Sequence, residues 1–421
     1  MSLPRVLVIA HNHPDLVPGG AEIAAHDLFR GLGAAGAEAM YLGCVTRLHR
    51  EPRPGSRLQT IGRSQAEVLL WVGAHDRFLM SDLDPEPAVR AIGEVLSSFQ
   101  PDVIHVHHLS RIGPEVIAIA RRLRPAAGIV VTLHDYHPIC FNDGLMVRPG
   151  DGHLCAAASD DACHACFPEI APERFRLRRM HLLNGLGSVD RFIAPTRFLL
   201  ERFVAWGLER RRVELLPNAV PVPAAPVAEP DPSLCRRFGF FGNVVPHKGV
   251  LVALEAAREL KASGAELGII LNGGLHFPEP RFRRAFEAAL AAAQGLVVDA
   301  GPYRREELDA RMAEVGWVIV PSIWWENAPL VILEAFRRGR PVICSGIGGM
   351  AELVRDGVDG LHFRPGDARA LAALLGRAAA APDLWAQLRA NLPDVPTIED
   401  AVARHLRLYA AFQPQTAVGH R

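Results

Sequence analysis

The sequence predicts an α/β protein that is built from two doubly wound halves. Short apolar runs alternate with helical patterns along most of its 421 residues, which is the arrangement that places parallel strands between layers of helices. A segment rich in proline and alanine, 221–232, divides these runs into two series. The chain is also long enough for two domains of ordinary size, each with its own core.

The first series of strands predicts an amino-terminal Rossmann-like domain over 1–220. It carries a cysteine-containing insertion at about 138–170, and the linker to the next domain is predicted over 221–236. A helix is expected to open at Ala21 and to continue to Leu32. The apolar runs that predict the strands are Val6–Ala10, Val103–Val106, Ile129–Leu133 and Arg191–Ala194.

The second series predicts a carboxy-terminal Rossmann-like domain over 237–392. A final helical stretch is expected within 393–412, and the tail from Gln413 is predicted to be disordered. The apolar runs of this half are Phe238–Phe241, Leu267–Leu271, Leu296–Asp299, Trp317–Val320 and Pro341–Cys344.

Composition excludes several classes of function. Basic and acidic residues both number 46, so the chain has no net field that would attract nucleic acid. No window approaches the roughly 18 apolar residues of a membrane span. The first apolar run is too short for a signal peptide. We therefore expect a soluble, cytoplasmic protein.

The most informative segment is 321–335, in which Glu326 and Glu334 lie eight positions apart. The apolar run before it predicts a buried strand, and Pro329 fits the first turn of the helix that follows. Glu326 is then expected in the loop at the carboxyl end of the strand, where ligands bind in open α/β sheets.

The spacing of the two carboxylates favours binding over acid–nucleophile chemistry. Eight helical steps span roughly 12 Å, whereas retaining glycosidases hold their two carboxylates about 5 Å apart. The free N–H groups of Leu330 and Val331 would offer an anion site between the two glutamates. A surface salt bridge that involves either glutamate is the alternative interpretation.

A second candidate for phosphate binding is the loop Gly242–Gly249, which follows a predicted strand and opens a helix. The chain holds two lysines, Lys248 and Lys261, among its 46 basic residues. Because arginine has replaced lysine almost everywhere, the lysine in this loop is a candidate for a role that needs a compact ammonium group. Lys261, on a predicted helix surface, shows that a retained lysine can also be incidental.

In the first half, two strand ends carry candidate binding residues. Gly19 and Gly20 open the first predicted helix, where glycine lets a backbone approach a ligand closely; an ordinary helix entry is the alternative. His134 and Asp135 follow the run that ends at Leu133. A histidine in this position can bind a ligand or make a structural hydrogen bond.

Histidines cluster near the predicted strand ends, which raises a metallohydrolase as a rival function. Neither a His-x-His-x-Asp-His run nor a His-Glu-x-x-His motif occurs, so a catalytic metal is disfavoured. The cluster comprises His11, His13, His105, His107, His108 and His137.

Four of the seven cysteines lie in the insertion, separated by 14, 7 and 2 residues. They are Cys140, Cys155, Cys163 and Cys166. Disulfides are disfavoured in a reducing cytosol, and a long loop with little core of its own gains order from a structural zinc ion. We therefore hypothesise one structural zinc site, with His153 or His164 as a substitute ligand; four unpaired thiols are the alternative.

The segment 321–335 resembles the Glu-x7-Glu signature of family 4 glycosyltransferases. The resemblance extends over about 236–375 and includes the motifs Arg340–Cys344, Gly348–Glu352, Asp359–Phe363 and Pro365–Asp367. It implies the GT-B fold, in which two Rossmann-like domains face a central cleft and the last helix returns to the first domain. Some members of the family are also similar in the cysteine-bearing insertion.

The activity that the resemblance implies is a retaining, metal-independent transfer of a hexose from a nucleotide diphosphate sugar. The acceptor would be a saccharide, a lipid-linked molecule or a small molecule, as in the synthesis of cell-envelope polysaccharides. A nucleotide-sugar epimerase and a non-catalytic nucleotide-sugar-binding protein stay open as alternatives. No catalytic cofactor is expected.

The resemblance also implies roles for residues. Glu326 would hold sugar hydroxyls, Glu334 the ribose, Lys248 the diphosphate and His134 the transferred sugar. Asn243 stands where the family usually carries an arginine, so this chain lacks one cation at the diphosphate. The further donor-binding candidates are Gly19, Gly20, Gly242, Asn243, Asn327, Leu330 and Val331.

Arginines alternate with apolar residues in the segment 174–183, which follows the cysteine-containing insertion. A helix of this composition can rest on an anionic membrane, and many family 4 enzymes act at the inner face of the membrane. A solvated helix that packs on its own domain is the alternative.

Overall fold

The computed structural model describes residues 3–51, 53, 55–62, 64–224, 231–275 and 279–412. The chain forms two units: the first contains residues up to Ala219 together with those from Thr397 onward, and the second is Val220–Pro396. Most of the predicted linker therefore belongs to the second unit. Its residues 225–230, and the tail from Gln413, lie outside the described residues.

The first unit is organised around an eight-stranded sheet in the order β10-β9-β8-β7-β1-β2-β4-β3. All neighbours pair in parallel except β3, which is antiparallel to β4. Strands β5 and β6 form a separate pair. The strands are β1 Val6–Ala10, β2 Ala39–Val45, β3 Leu58–Thr60, β4 Glu67–Trp71, β5 His75–Asp76, β6 Ser81–Asp82, β7 Val103–Val106, β8 Gly128–Thr132, β9 Arg191–Ala194 and β10 Val213–Leu215.

Helices connect these strands. Helix α1 begins one residue before the predicted start and extends two residues beyond the predicted end. The helices are α1 Gly20–Ala34, α2 Pro85–Phe99, α3 Glu115–Leu123, α4 Asp160–Cys166, α5 Pro172–Gly185 and α6 Arg197–Trp206, and a 3-10 turn covers Arg210–Arg212.

The second unit contains a six-stranded, wholly parallel sheet in the order β13-β12-β11-β14-β15-β16. Five of these strands lie within two residues of the predicted runs, and β16 was not predicted. The strands are β11 Arg237–Phe241, β12 Gly268–Asn272, β13 Val297–Gly301, β14 Trp317–Val320, β15 Val342–Ser345 and β16 Gly360–Phe363.

Helices cover both faces of this second sheet, as the continuous apolar strands require. Trp317 and Ile319 of β14 belong to one buried cluster, and Val318 and Val320 belong to the other. The helices are α7 Val250–Ala262, α8 Pro280–Ala292, α9 Leu308–Ala313, α10 Leu330–Arg337, α11 Gly348–Leu353, α12 Ala368–Ala379 and α13 Pro382–Ala390.

The last helix, α14 (Ile398–Tyr409), belongs to the first unit and packs against α1. Gly31 of α1 allows this approach, because a Cβ atom there would lie 2.7 Å from a methyl group of Val402. No helix in the described part of the chain is both long and apolar enough to cross a membrane.

Each sheet has one position where the strand order reverses, and parallel strands leave a crevice at their carboxyl ends there. In the first unit the reversal lies between β1 and β7, and in the second unit it lies between β11 and β14. Most of the predicted site residues lie in the loops and helices that follow β1, β11 and β14.

Candidate functional site

In the second unit, the loops after β11 and β14 bring Lys248 and Glu326 into direct contact. Lys248 ends a 3-10 turn just before α7, and Glu326 lies between β14 and α10. The Nζ atom of Lys248 donates to Oε1 of Glu326 at 2.6 Å. Two residues that were predicted for separate roles therefore form an ion pair at the switch point.

The environment of Glu326 keeps its carboxylate ionised. The residue is 4% exposed, and Ser322 donates a second hydrogen bond to Oε1 at 2.7 Å. Burial favours the neutral acid, but the charge of Lys248 and these hydrogen bonds outweigh it and lower the pKa of Glu326. The role of Ser322 was not predicted from the sequence, although this residue lies in the motif that contains Glu326.

Glycines make the contact between these loops possible. Gly249 has φ +71°, and a Cβ atom there would lie 1.8 Å from the carbonyl oxygen of Pro321. The backbone N–H of Ile323 donates to the carbonyl of His247 at 2.9 Å. Only glycine fits a left-handed position so close to a neighbouring backbone.

A third loop closes on the backbone of Glu326. The N–H of Gly349 donates to the carbonyl oxygen of Glu326 at 2.8 Å. A Cβ atom at Gly349 would lie 1.3 Å from the carbonyl oxygen of Asn327. Asn327 is a buried residue. The Gly348–Gly349 motif therefore fixes the position of the glutamate loop.

Helix α10 begins at Leu330, and Pro329 is its N-cap residue. The predicted position of Pro329, in the first turn, was therefore one residue too far along the helix. Leu330 and Val331 are half-buried in the first turn. Glu334 is half-buried in the next turn, and its charge acts with burial, the larger cause, to raise the pKa of Tyr303.

Among the described residues, the loop after β11 leaves open space beside Gly242. This residue has φ +136°, and no described atom outside its immediate neighbours lies within 4 Å of where a Cβ atom would stand. Its N–H donates to the carbonyl of Asn272 at 2.9 Å. Asn243 is exposed and supplies hydrogen-bonding groups without charge.

In the first unit, Gly19 is the N-cap residue of α1, and Gly20 is its first helical residue. A Cβ atom at Gly19 would lie 2.4 Å from Oε2 of Glu22, so a larger residue there would displace the Glu22 carboxylate. Glu22 is buried and accepts from His11 at 2.8 Å and from Asn12 at 3.0 Å. Although burial opposes it, these contacts lower the pKa of Glu22 to about 2. Sequence reasoning gave Glu22 no role.

His134 follows β8 and is half-buried. Its Nε2 atom lies 3.0 Å from Nδ1 of His107. Burial is the largest of the causes that lower the pKa of His134 to about 4, so this imidazole is neutral at pH 7. Its neighbour Asp135 accepts from Nε2 of His108 at 2.6 Å.

In the described part of the chain, two histidine–carboxylate groups have three ligand atoms within 4.8 Å of one another: His13, His26 and Glu67, and His108, Asp135 and His137. Hydrogen bonding accounts for both. The Nδ1 atom of His13 accepts from the N–H of Asp15, so its Nε2 carries the proton that points to Glu67. The Nδ1 atom of His108 likewise accepts from the N–H of Ser110, which leaves Nε2 as the donor to Asp135.

Another buried histidine connects β7 to α14. Both ring nitrogens of His105 are engaged, with Tyr409 at 2.6 Å and with Thr132 at 2.7 Å. The ring centroids of His105 and His107 lie 4.2 Å apart. Helix α14 thereby supports the row of histidines that ends at His134. The four cysteines of the predicted zinc site lie away from this row, around a cavity of their own.

Two family models match the chain. The model described as "Glycosyl transferase 4-like domain" matches residues 19–219, and the one described as "Glycosyl transferases group 1" matches residues 235–380. Between them they include Lys248, Glu326, Glu334 and His134.

Curated relatives are glycosyltransferases and synthases. The chain is 35% identical to the D-inositol 3-phosphate glycosyltransferase of a Nocardioides species over 33% of this chain and 32% of the relative. It is 27% identical to the glycogen synthase of Acidiphilium cryptum over 90% of this chain and 82% of that relative. Several curated relatives, including the Nocardioides enzyme, are matched over only about a third to a half of their own length.

Solved structures share the fold of the whole chain. HepE of Anabaena, solved in complex with UDP and glucose, has a TM-score of 0.67 and 16% identity, with 97% of this chain and 100% of that chain covered. Sucrose-phosphate synthase of Thermosynechococcus elongatus has a TM-score of 0.69 and 20% identity, with 97% and 98% covered. At these identities the likeness concerns the fold.

Proposed function

We propose, because this chain belongs to the family 4 glycosyltransferases of the GT-B fold, that it is a retaining glycosyltransferase. It would move a hexose from a nucleotide diphosphate sugar to an acceptor hydroxyl. The observation that carries the proposal is the ion pair between Lys248 and the buried Glu326. It lies at the carboxyl ends of β11 and β14, the part of a doubly wound sheet where ligands bind.

The donor roles follow from the chemistry of these groups. An ammonium group has three N–H donors, and Lys248 directs one of them to Glu326, so it can face a diphosphate as well. The amides of Leu330 and Val331 begin a helix whose positive end favours an anion. Glu326 would accept from sugar hydroxyls and Glu334 from the ribose, with Gly242, Asn243 and Asn327 beside them.

In the first unit, Gly19, Gly20 and His134 are the proposed binding residues, as the family resemblance implies. Glycines at the start of α1 permit close approach of a ligand to the backbone. His134 has a lowered pKa, so it would hydrogen-bond the transferred sugar as a neutral group. These roles rest on the family resemblance and on the position of the residues at strand ends.

The reaction we propose forms the new bond on the face of the sugar from which the diphosphate departs. The acceptor oxygen bonds to the anomeric carbon, and the pair of electrons in the breaking carbon–oxygen bond leaves with the nucleoside diphosphate. The acceptor proton passes to the departing phosphate oxygen. Lys248 and the helix amides would stabilise the charge that builds there, which makes the reaction independent of a metal ion.

The donor can be identified with a thermal-shift panel of nucleotide sugars, which begins with UDP-glucose because HepE structures hold UDP and glucose. A ligand present at 100 times its Kd adds about 2.7 kcal/mol to the free energy of unfolding. We expect one nucleotide diphosphate to raise the Tm. If none does, the transferase proposal fails.

The variant Glu326→Gln separates binding from transfer. It keeps the size of the side chain but removes its charge, so we expect nucleotide binding to persist while transfer falls at least about 100-fold. Lys261→Ala, at the exposed end of α7, is the control and should leave both unchanged. Conversion of the donor sugar without an acceptor would instead identify an epimerase.

We also propose a cytoplasmic protein that contacts the inner face of the membrane through α5. Leu177 and Met180 are 56% and 52% exposed on this helix, and Arg174 and Arg179 are exposed beside them. Exposed apolar side chains among arginines favour an anionic surface. Vesicle flotation measures the contact: Met180→Asp should weaken binding to anionic vesicles, and equal binding by both proteins would contradict the proposal.

A further inference from the structure

The insertion between β8 and α5 brings four cysteines to one small cavity. The cavity has a volume of about 30 Å³ and is lined by Cys140, Cys155, Cys163 and Cys166, which exceeds the roughly 10–15 Å³ that a cavity needs to hold one water molecule. All four thiols are half-buried and free of disulfide bonds. The rest of the wall is mostly apolar, so the sulfurs are its principal ligand atoms.

Backbone hydrogen bonds hold the cysteines in position. Val147 and Leu154 form an antiparallel bridge, and the N–H of Cys155 donates to the carbonyl of Met146 at 2.8 Å. This small hairpin presents Cys155. Helix α4 presents both Cys163 and Cys166, because these residues are three positions apart, on one face of its last turn.

Aromatic rings surround the cavity. Phe141 contacts Phe167 and Phe78 edge-on, with ring centroids 5.0 and 5.1 Å apart. Phe175 completes the group at 5.3 Å from Phe78. An apolar shell of this kind limits the access of water to a metal site and strengthens electrostatic interactions within it.

A buried arginine beside the thiols lacks a carboxylate partner. Arg178 is 4% exposed, and its guanidinium group donates to the carbonyl oxygens of Phe78, His137 and Pro138 at 2.5 to 2.6 Å. Within the described residues, no carboxylate forms an ion pair with it. The thiol groups of Cys140 and Cys163 are the possible negative charges that act on it.

We propose that Cys140, Cys155, Cys163 and Cys166 bind one structural zinc ion. Four thiolates around Zn²⁺ carry a net charge of −2, which would compensate the buried charge of Arg178. Thiolates are the ligands that select zinc in a tetrahedral site. The site would order the insertion and would take no part in sugar transfer.

The cavity favours four sulfurs over a mixed set of ligands. His153 is exposed, and Nδ1 of His164 donates to the carbonyl oxygen of Ile170; neither residue lines the cavity. Among the described residues, no three of these sulfur atoms lie within 4.8 Å of one another, because the groups that meet this limit consist of histidines and carboxylates elsewhere. Zinc binding therefore requires the sulfurs to close in on the ion, to roughly 3.8 Å from one another in a tetrahedron with Zn–S bonds of about 2.3 Å.

Elemental analysis of the purified full chain tests the proposal. We expect about one zinc ion per chain, and below about 0.2 equivalents in Cys163→Ser and Cys166→Ser. The matched control is Cys235→Ser, a buried cysteine in the second unit, which should keep its zinc. Less than about 0.2 equivalents in the unaltered protein, or full zinc content in both variants, would overturn the proposal.

Cobalt substitution keeps the test valid if the cysteine variants do not fold. The unaltered protein, refolded with Co²⁺ in place of zinc, should show the intense thiolate-to-cobalt charge-transfer absorption and the visible bands of a tetrahedral sulfur site. Absence of these bands, together with rapid reaction of all four thiols in the native protein, would contradict the proposal. A disulfide between two of them would do so as well.

Discussion

Because Lys248 and Glu326 are in direct contact, a substitution of one residue also changes the environment of the other. A buried carboxylate is costly unless it is paired and hydrogen-bonded, and Lys248 supplies the pairing charge. Removal of the lysine therefore changes the glutamate as well as the charge available to a diphosphate.

In Lys248→Ala we expect kcat/KM to fall at least about 100-fold and its acid limb to move to higher pH. The reason is that the charge of Lys248 lowers the pKa of Glu326 while burial raises it. Without the lysine, burial dominates, and the carboxylate takes up a proton at a higher pH. The measurement is the pH profile of kcat/KM for both proteins.

Lys261→Ala is the control, because it removes the other lysine from an exposed helix end. Its profile should coincide with that of the unaltered protein. An acid limb that stays in place in Lys248→Ala would show that Glu326 does not depend on the lysine.

At this scale the sequence predicted residue types better than contacts. Lys248 and Glu326 were both identified, but their ion pair joins positions 78 residues apart and depends on how two loops pack. Glu22 was missed for a similar reason. Its partners His11 and Asn12 follow a different element, and no local pattern indicates that α1 and β1 bury their polar groups together.

At the scale of elements, glycines set how closely the loops of the second unit approach one another. Gly249 and Gly264 have nearly equal left-handed φ angles of +71° and +73°, but only Gly249 faces a neighbouring backbone. They form a matched pair that separates conformational strain from steric exclusion.

Gly264→Ala should cost about 1 kcal/mol of stability, from the strain of a left-handed alanine. Gly249→Ala should cost several kcal/mol, because the added methyl group would overlap the carbonyl of Pro321. Urea unfolding of both variants gives the comparison. Equal costs would mean that the loops separate without penalty, which would argue against a rigid site.

The strands of the second sheet were predicted better than those of the first. The central runs of the second sheet, such as β14 and β15, are buried on both faces, so they stand out. Strands β2 and β4 were missed although β2 pairs directly with β1. Gly43 lowers the strand propensity of β2, yet a Cβ atom there would approach the carbonyl of Asn12 to 3.1 Å, a constraint that appears only after folding.

At the scale of the whole molecule, buried histidines make the first unit sensitive to acid. His105, His107 and His108 are 0%, 3% and 7% exposed, and burial lowers the pKa of each. The raised pKa of His137, beside Asp135, acts in the opposite direction. It is a single residue, however, against three histidines whose pKa is lowered.

We expect the free energy of unfolding to fall as pH drops from about 6.5 toward 4. In this window the unfolded chain binds protons on histidines that stay neutral in the folded protein. Each such histidine contributes up to about 1.4 kcal/mol per pH unit. Urea unfolding at several pH values measures the slope.

His105→Gln should reduce that slope, whereas His153→Gln, at an exposed position, should not. A stability that is constant or rises with acidity over the same window would contradict the expected role of the buried histidines.

The return of α14 to the first unit has a consequence for synthesis. The second unit is one continuous stretch, Val220–Pro396, whereas the first is completed only by residues from Thr397 onward. On the ribosome, proteins usually fold from the amino terminus, domain by domain. Here the surface of α1 around Gly31 stays uncovered, and His105 lacks the hydroxyl of Tyr409, until α14 has emerged. The first unit is therefore completed only after the whole of the second unit has been made.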